Sequence, residues 1–142
     1  MEIEFFIKGK PKAKQSVKFT RKGIKYTPGD IKEYANWVRL CFLNSFPAWS
    51  ALEFKDKSLK VELNVYMAIP KGFSKKKFAK ALKGELRPIV KPDCDNIAKN
   101  INDALNGLLY PDDKQIVSLT VNKFYSVTEG VNVKVGALND VI

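Results

Sequence analysis

The sequence predicts a single α+β domain spanning residues 1–142, in which a mixed β-sheet of about four to six strands packs with two to three helices. Three observations predict this fold class. A chain of 142 residues that is 45% hydrophobic and 11% aromatic has the size and composition of one globular domain. Strand-like alternation and helical periodicity both occur along it. No internal repeat, low-complexity segment or linker divides it.

The first half of the chain is predicted to start with a strand and to contain one long helix. Residues 2–7 are apolar enough for a buried strand, and apolar residues alternate with basic ones over 17–26, which predicts a small hairpin. Apolar residues then recur at helical spacing, which predicts a helix from about 31 to 46. Asp30 is its predicted N-cap, and Pro47 ends it.

The second half alternates strands with helices. Its clearest strand pattern has a strict period of two, and a glycine follows its longest amphipathic helix, as expected just past a helix C-terminus. The predicted elements are a strand at 59–67, a basic helix capped by Ser74 that runs to about 83, a helix from about 95 to 107, and strands at 115–125 and 131–135.

The formal charge of +10 is concentrated in two segments, 8–25 and 71–91, whose only acidic residue is Glu85. Such segments are typical of proteins that bind a polyanion such as nucleic acid. A solvated surface that keeps the protein soluble is the alternative explanation. The predicted DNA-binding residues are Lys10, Lys12, Lys14, Lys18, Arg21, Lys22, Lys75, Lys76, Lys77 and Lys91.

The sequence predicts a cytoplasmic, nucleoid-associated protein that does not enter a membrane. No apolar run approaches the roughly 20 residues that cross a bilayer. The N-terminus lacks the basic start and long apolar core of a signal peptide. Cys41 and Cys94 stand in unrelated contexts and suggest no disulfide framework, which favours a reducing compartment. No organic cofactor is expected.

An acidic cluster interrupts this basic chain in the stretch KPDCDNIAKNINDALNGLLYPDDKQI, residues 91–116. Its members are Asp93, Asp95, Asp103, Asp112 and Asp113. Asp93 and Asp95 stand two apart just before a helix, a spacing that puts both carboxylates on the same side of an extended chain. Lys99 is four residues from both Asp95 and Asp103, within one helical turn of either. The Asp112–Asp113 pair follows a short turn, so we expect it to return near the start of the helix.

Three carboxylates converging from different elements suit a hard divalent cation, because Mg²⁺ prefers oxygen ligands and retains several waters. The absence of histidine excludes Ser–His and Cys–His nucleophiles, and two isolated cysteines cannot build a usual zinc site. Aspartate-bound Mg²⁺ in a basic protein indicates phosphoryl-transfer chemistry on nucleic acid, with Lys99 offsetting charge on the phosphate or the leaving oxygen. The alternative is structural: Asp95 as N-cap, Lys99 with Asp103 as a surface pair, and Asp112–Asp113 as turn formers.

These residues resemble the motifs of the RusA family of Holliday junction resolvases, many of which are carried by phages and prophages. The family pattern D-x-D-N-x-x-K, then D-A-L, then D-D-x-Q-[IV], is matched from Asp93 to Ile116. The resemblance implies a homodimeric, Mg²⁺-dependent endonuclease, with Mn²⁺ as a substitute, that nicks a four-way junction symmetrically during DNA recombination and repair. The family often has arginines where this chain has Gln15-Ser-Val17, which bears on which basic residues contact DNA.

The resemblance also implies roles for individual residues. Asp93, Asp95 and Asp113 match the metal-binding catalytic residues, and Lys99 matches the family's essential lysine. Asp103 and Asp112 match supporting positions, Asp103 as a residue that orients Lys99 and Asp112 as a turn former.

Three other functions stay open on the sequence alone. The first is a branched-DNA-binding protein that does not cut, and the second is a nuclease acting on flaps or forks. The third is a non-catalytic RNA-binding protein, which would need exposed stacking platforms such as Phe19 or Tyr26. A dimer interface is expected either from the alternating strand at 59–67 or from the aromatic segment 42–54, both of which also fit ordinary core.

Overall fold

The computed structural model describes residues 1–12, 18–19, 25–26 and 29–138, with the side chains of the last range from residue 32. In these residues the chain forms a mixed four-stranded sheet, a two-stranded sheet and three helices, which confirms the predicted α+β class. The strands are β1 (Glu2–Lys8), β2 (Lys18–Phe19), β3 (Lys25–Tyr26), β4 (Leu59–Ala68), β5 (Ile116–Ser126) and β6 (Gly130–Ala137). The helices are α1 (Gly29–Ser45), α2 (Lys75–Leu82) and α3 (Cys94–Leu105).

The main sheet has the order β1-β6-β4-β5. β4 and β5 are parallel, whereas β6 pairs antiparallel with both β4 and β1. β5 and β6 are joined by only a few residues but do not pair, because β4 lies between them. The strand that ends the described chain therefore occupies an interior position, and β5 forms one edge of the sheet.

The core lies on one face of the main sheet, under α1 and α3. The inward residues of β4, such as Leu59 and Leu63, are fully buried, as are Val38 and Phe42 of α1 and Ile101 of α3. Each such side chain contributes roughly 1.5–3 kcal/mol through the apolar surface that it removes from water. The alternation along β4 thus reflects core packing, as the period-two pattern predicts.

The aromatic segment after α1 is also core. The rings of Phe42, Phe46, Trp49 and Phe54 contact one another with centroids 5.3–6.2 Å apart. The Trp49 indole donates a hydrogen bond to the Leu109 carbonyl at 2.8 Å. Both segments named as candidates for a dimer interface therefore contribute to the interior of the domain.

The helix boundaries agree with the predictions to within about two residues, but the N-cap residues of α1 and α3 differ from those expected. Ser74 caps α2, its Oγ accepting a hydrogen bond from the Lys77 amide at 3.2 Å. Asp93, rather than Asp95, is the N-cap residue of α3, and its side chain makes no capping hydrogen bond. Asp30, the predicted N-cap of α1, is instead the second residue of that helix.

The hairpin predicted at 17–26 is represented by the antiparallel pair β2–β3, with Lys18 opposite Tyr26 and Phe19 opposite Lys25. Its turn lies outside the described residues. Among the described ranges, no helix is both long enough and apolar enough to cross a membrane.

Gly130 begins β6 at the point where it pairs with Lys8 of β1. A Cβ atom at this position would clash with the Phe6 ring and the Ile7 carbonyl oxygen. The two strands can therefore approach only because residue 130 has no side chain.

Candidate active site

The first turns of α3 present the predicted catalytic residues to solvent. Asp93, Asp95 and Lys99 are all exposed. Lys99 follows Asp95 by four residues, so the two side chains share one face of the helix. The backbone amides at the start of a helix carry partial positive charge, which favours ionised carboxylates there. The start of α3 therefore combines two carboxylates with one ammonium group.

The loop before α3 is held against the edge strand β5. The Arg87 guanidinium donates from Nε to the Lys123 carbonyl at 2.9 Å and stacks over the Phe124 ring at 4.1 Å. The Lys123 ammonium in turn donates to the Val90 carbonyl. These contacts fix the chain that leads into Asp93.

α3 is positioned by its apolar face. Ile97, Ile101 and Leu105 are buried against the sheet and α1 at helical spacing, as the sequence predicts. Asn100, which the sequence places on the polar side of the helix, is only 3% exposed and donates from Nδ2 to the Lys12 carbonyl at 3.1 Å. The N-terminal basic segment thus contacts α3 next to Lys99.

Asp112 and Asp113 lie at the opposite end of α3, so the expectation that they return near its start is wrong. The Asp113 amide donates to Oδ1 of Asn106, the C-cap residue of α3, at 3.0 Å. The helix has 12 residues and is about 18 Å long. It is β5, beginning at Ile116, that runs back along α3, bringing the Val121 carbonyl within 4.0 Å of Cys94 Sγ near the helix start.

The local turn explains why Asp112 and Asp113 stay at the helix end. Asp112 caps a short 3₁₀ turn, its Oδ1 accepting from the Lys114 amide at 3.0 Å. Gln115 completes a capping box by accepting from the Asp112 amide at 3.1 Å. The Gln115 amide group also donates to the Phe54 and Lys57 carbonyls, which ties the turn to the loop before β4.

Asp113 lies among groups that disfavour its charge. Partial burial raises the pKa of its carboxyl above 3.8, and a hydrogen bond with Asp112 and the charges of Asp112 and Asp103 raise it further. Burial likewise raises the pKa of Tyr110, with smaller contributions from Asp113 and Asp103. Asp103, Asp112 and Asp113 thus form one acidic group, separate from Asp93 and Asp95.

The two acidic groups do not meet within one chain. In the ranges that the structure describes, no group of three or more histidine, cysteine, aspartate or glutamate side chains is arranged to hold a metal ion. The set Asp93, Asp95 and Asp113 therefore does not fit a cation within a single chain.

The predicted DNA-binding residues divide into three sets. Lys75, Lys76 and Lys77 form the exposed first turn of α2, and Lys91 is exposed in the loop before α3. Lys10 and Lys12 follow β1, Lys10 exposed and Lys12 half-buried. The remaining four, Lys14, Lys18, Arg21 and Lys22, have side chains outside the described part of the structure.

Three positioning residues were missed from the sequence. Gln115 belongs to the D-D-x-Q motif, so a signal was present, although its structural role was not inferred. Asn106 and Asn100 had no signal, because a single asparagine near a helix end or on its polar side has no characteristic spacing. The partners of both amides come from tertiary structure: the Asp113 backbone for Asn106 and the Lys12 backbone for Asn100.

The fold and this site define a class: an α+β protein that displays paired carboxylates and a lysine at the start of a surface helix, beside basic segments. The family model described as Endodeoxyribonuclease RusA matches residues 8–136. The chain belongs to the RusA endodeoxyribonuclease family.

One curated relative is "Uncharacterized protein YqaN" of Bacillus subtilis (strain 168). It is 49% identical to this chain over 79 residues. The match covers 54% of this chain and 56% of the relative, so the chain spans about half the length of the relative that it matches. The relative's name assigns no activity.

Proposed function

We propose that this protein is a structure-specific endodeoxyribonuclease that resolves four-way DNA junctions by paired symmetric nicks in recombination and repair. The observation that carries the proposal is the family match over residues 8–136 together with the exposed Asp93, Asp95 and Lys99 at the start of α3. The proposed cation is Mg²⁺, with Mn²⁺ as a substitute. The proposed setting is the nucleoid of a cell that carries the gene in its chromosome or a prophage.

The chemistry proposed for the chain's own residues follows from their positions. Asp93 and Asp95 provide oxygen ligands of the kind that hard cations prefer. Lys99 lies one turn further along the same face, where its ammonium can offset charge that develops on a phosphate at the helix start.

In a homodimer, Asp93 and Asp95 of one chain could bind the same cation as Asp113 of the other chain. Asp93 and Asp95 are about one helix length away from Asp113 in the same chain. A site that uses all three therefore requires Asp93 and Asp95 from one chain and Asp113 from another. A two-fold dimer would create two such sites, which suits two nicks in a substrate that is itself close to two-fold symmetric.

The proposed DNA contacts are the exposed lysines around the start of α3. Lys91 lies two residues before Asp93, the N-cap residue of α3, and the loop that β5 holds connects α2 to α3. Contacts of lysine with phosphates carry little sequence information and depend strongly on salt. Recognition by the shape of the substrate is therefore expected.

The test is cleavage of a labelled four-way junction, a flap and a linear duplex side by side, with Mg²⁺, with Mn²⁺ and with EDTA. Symmetric, metal-dependent nicks confined to the junction support the proposal. Cleavage of flaps in preference to junctions would instead indicate a different branched substrate. Binding without cleavage under every metal condition would indicate a non-catalytic junction-binding protein.

Two matched variants make this assay specific. Asp113→Asn removes one carboxylate of the proposed site and should abolish cleavage. Asp56→Asn makes the same change at an exposed residue with φ 57°, a conformation that asparagine tolerates well, and should cleave like the wild type.

A further inference from the structure

The segment Lys8–Lys12, the basic segment below, is held in place although it has little regular structure. Lys8 ends β1, and the following Gly9 has φ +106° and donates its amide to the Glu129 carbonyl at 3.3 Å. Pro11 is buried. Backbone contacts at one end and a buried proline near the other restrict the conformations that the segment can adopt.

Two side chains from different helices bind the carbonyls at the two ends of the basic segment. The Trp37 indole of α1 donates to the Lys8 carbonyl at 2.6 Å. The buried Asn100 amide of α3 donates to the Lys12 carbonyl at 3.1 Å. Because both partners lie on helices that pack in the core, the segment has a fixed position relative to α1 and α3.

The lysines of this segment line one cleft. A concavity of about 410 Å³ between the segment and α1 is lined by Lys8, Gly9, Lys10, Lys12, Glu33, Tyr34 and Trp37. Three of these residues are cationic, and only Glu33 is acidic. The cleft is therefore large enough for a phosphate group, and basic residues outnumber acidic ones in its lining.

One side chain that lines this cleft has a hydroxyl group without a hydrogen-bond partner at acceptable distance and angle among the described residues. The Tyr34 hydroxyl is buried and makes no hydrogen bond with the described residues. The Lys12 backbone is near enough to lower the pKa of Tyr34, but burial outweighs it and raises that pKa to about 12. The hydroxyl thus stays protonated and keeps its capacity to donate at neutral pH.

We propose that this cleft binds a backbone phosphate of DNA, and that Trp37 and Asn100 are positioning residues that fix the lysines for this contact. The inference depends on the proposed function for the identity of the polyanion. Asn100 directly follows Lys99 on α3, so the same helix that presents the candidate catalytic lysine also sets the position of Lys12. DNA bound by the basic segment would therefore have a fixed position relative to the start of α3, because Asn100 attaches the segment directly to that helix.

The direct test is the salt dependence of DNA binding by Lys10→Ala. Lys10 is exposed, so its removal should leave the fold intact. Loss of one phosphate contact should lower the slope of log K against log salt by about 0.9 and weaken junction and duplex binding alike. Lys55→Ala, which removes an exposed lysine outside the predicted DNA-binding segments, is the control and should keep the wild-type slope.

The positioning roles are tested with two matched pairs. Trp37→Phe and Trp49→Phe each remove an indole donor to a main-chain carbonyl, but only the first contacts the basic segment. Asn100→Leu and Asn102→Leu each replace a buried amide of α3, and only the first contacts Lys12. Trp37→Phe and Asn100→Leu should weaken DNA binding several-fold and reduce the salt slope, whereas both controls should stay within about twofold of wild type.

Amide hydrogen exchange separates positioning from general destabilisation. Faster exchange in the peptide that contains residues 8–12, beyond any change in global stability, is expected for Trp37→Phe and Asn100→Leu only. Wild-type salt slopes for Lys10→Ala, or equal effects within each matched pair, would overturn the inference while leaving the proposed nuclease activity standing. A wild-type protein that binds no DNA would overturn both.

Discussion

At the scale of single residues, the proposed chemistry depends on three exposed side chains at the start of α3. Asp93, Asp95 and Lys99 owe their positions to the buried apolar face of the same helix, since none of their side chains makes a hydrogen bond within the described part of the chain. Such residues can be replaced with little effect on folding, which makes them suitable for separating catalysis from binding.

Lys99→Ala should reduce junction cleavage by about 10²–10³-fold while leaving the junction Kd nearly unchanged, because its ammonium is proposed to act on charge that develops during the reaction. Single-turnover cleavage and a gel-shift titration in EDTA measure the two quantities. A parallel loss of binding would instead make Lys99 a phosphate contact.

Cys41 has a thiol whose reactivity reports its surroundings. Burial raises the pKa of Cys41 above 9.0, against smaller opposing effects of the Lys8 backbone and ammonium. Since the thiolate is the nucleophile, folded Cys94→Ser protein should react with iodoacetamide more slowly at pH 8.5 than the same protein unfolded in guanidinium. Lys8→Gln should slow the reaction further because it removes a charge that favours the thiolate. Faster reaction in the folded state would contradict this prediction.

The candidate chemical residues can be picked out from the sequence, but the residues that position them cannot. The aspartates and Lys99 have a characteristic spacing over a short stretch of chain. Asn100 and Asn106 act on backbone groups that only the folded chain brings near them. These partners are far apart in the sequence or lack a characteristic spacing, so no local pattern indicates them.

At the scale of elements, the pattern of residues in the sequence predicted every α-helix and strand of the described residues. It did not predict the arrangement of elements at two connections, the turn after α3 and the link between β5 and β6. The turn after α3 was expected to carry Asp112 and Asp113 back to the helix start, but Asn106 and Gln115 hold it at the helix end. The short link between β5 and β6 resembles a hairpin connection, yet the two strands flank β4. Neither the hydrogen bonds that hold this turn nor the order of strands in the sheet leaves a periodic pattern in the sequence.

Gly130→Ala should destabilise the pairing of β1 with β6, because the added Cβ would clash with the Phe6 ring and the Ile7 carbonyl. Overpacking of this kind typically costs about 1–3 kcal/mol. Urea unfolding measures the free energy of unfolding. Gly72→Ala is the matched control, since a Cβ there would meet no atom within 4 Å. Equal stability of the two variants would show that β1 shifts freely.

At the scale of the whole molecule, the separation of the acidic groups makes a prediction about assembly. Asp93→Asn and Asp113→Asn dimers should each be inactive. Mixed dimers can be made by co-expression with two affinity tags. In each of them, one site combines the intact Asp93 and Asp95 of one chain with the intact Asp113 of the other. Such a dimer should therefore nick one strand of a junction instead of two. Random pairing would recover about a quarter of the wild-type sites.

The control for this experiment is the pair Asp93→Asn and Asp95→Asn, whose changes lie on the same end of α3. Their mixed dimers should stay inactive. Each proposed site takes Asp93 and Asp95 from one chain, so every site in the mixed dimer lacks one of these two carboxylates. Activity that fails to recover in the first mixture would place the complete site within a single chain.

The order of the main sheet has a consequence for how the protein is made. Of the described strands, β6 is synthesised last, yet it lies between β1 and β4 and pairs with both. Among the described strands, β1 pairs only with β6, which begins more than 120 residues later in the chain. The nascent chain must therefore keep an apolar strand unpaired for most of its synthesis, with α1 as its nearest packing partner. A ribosome stalled before residue 130 would hold a chain in which β1 lacks its partner strand and exposes apolar surface that is prone to aggregate.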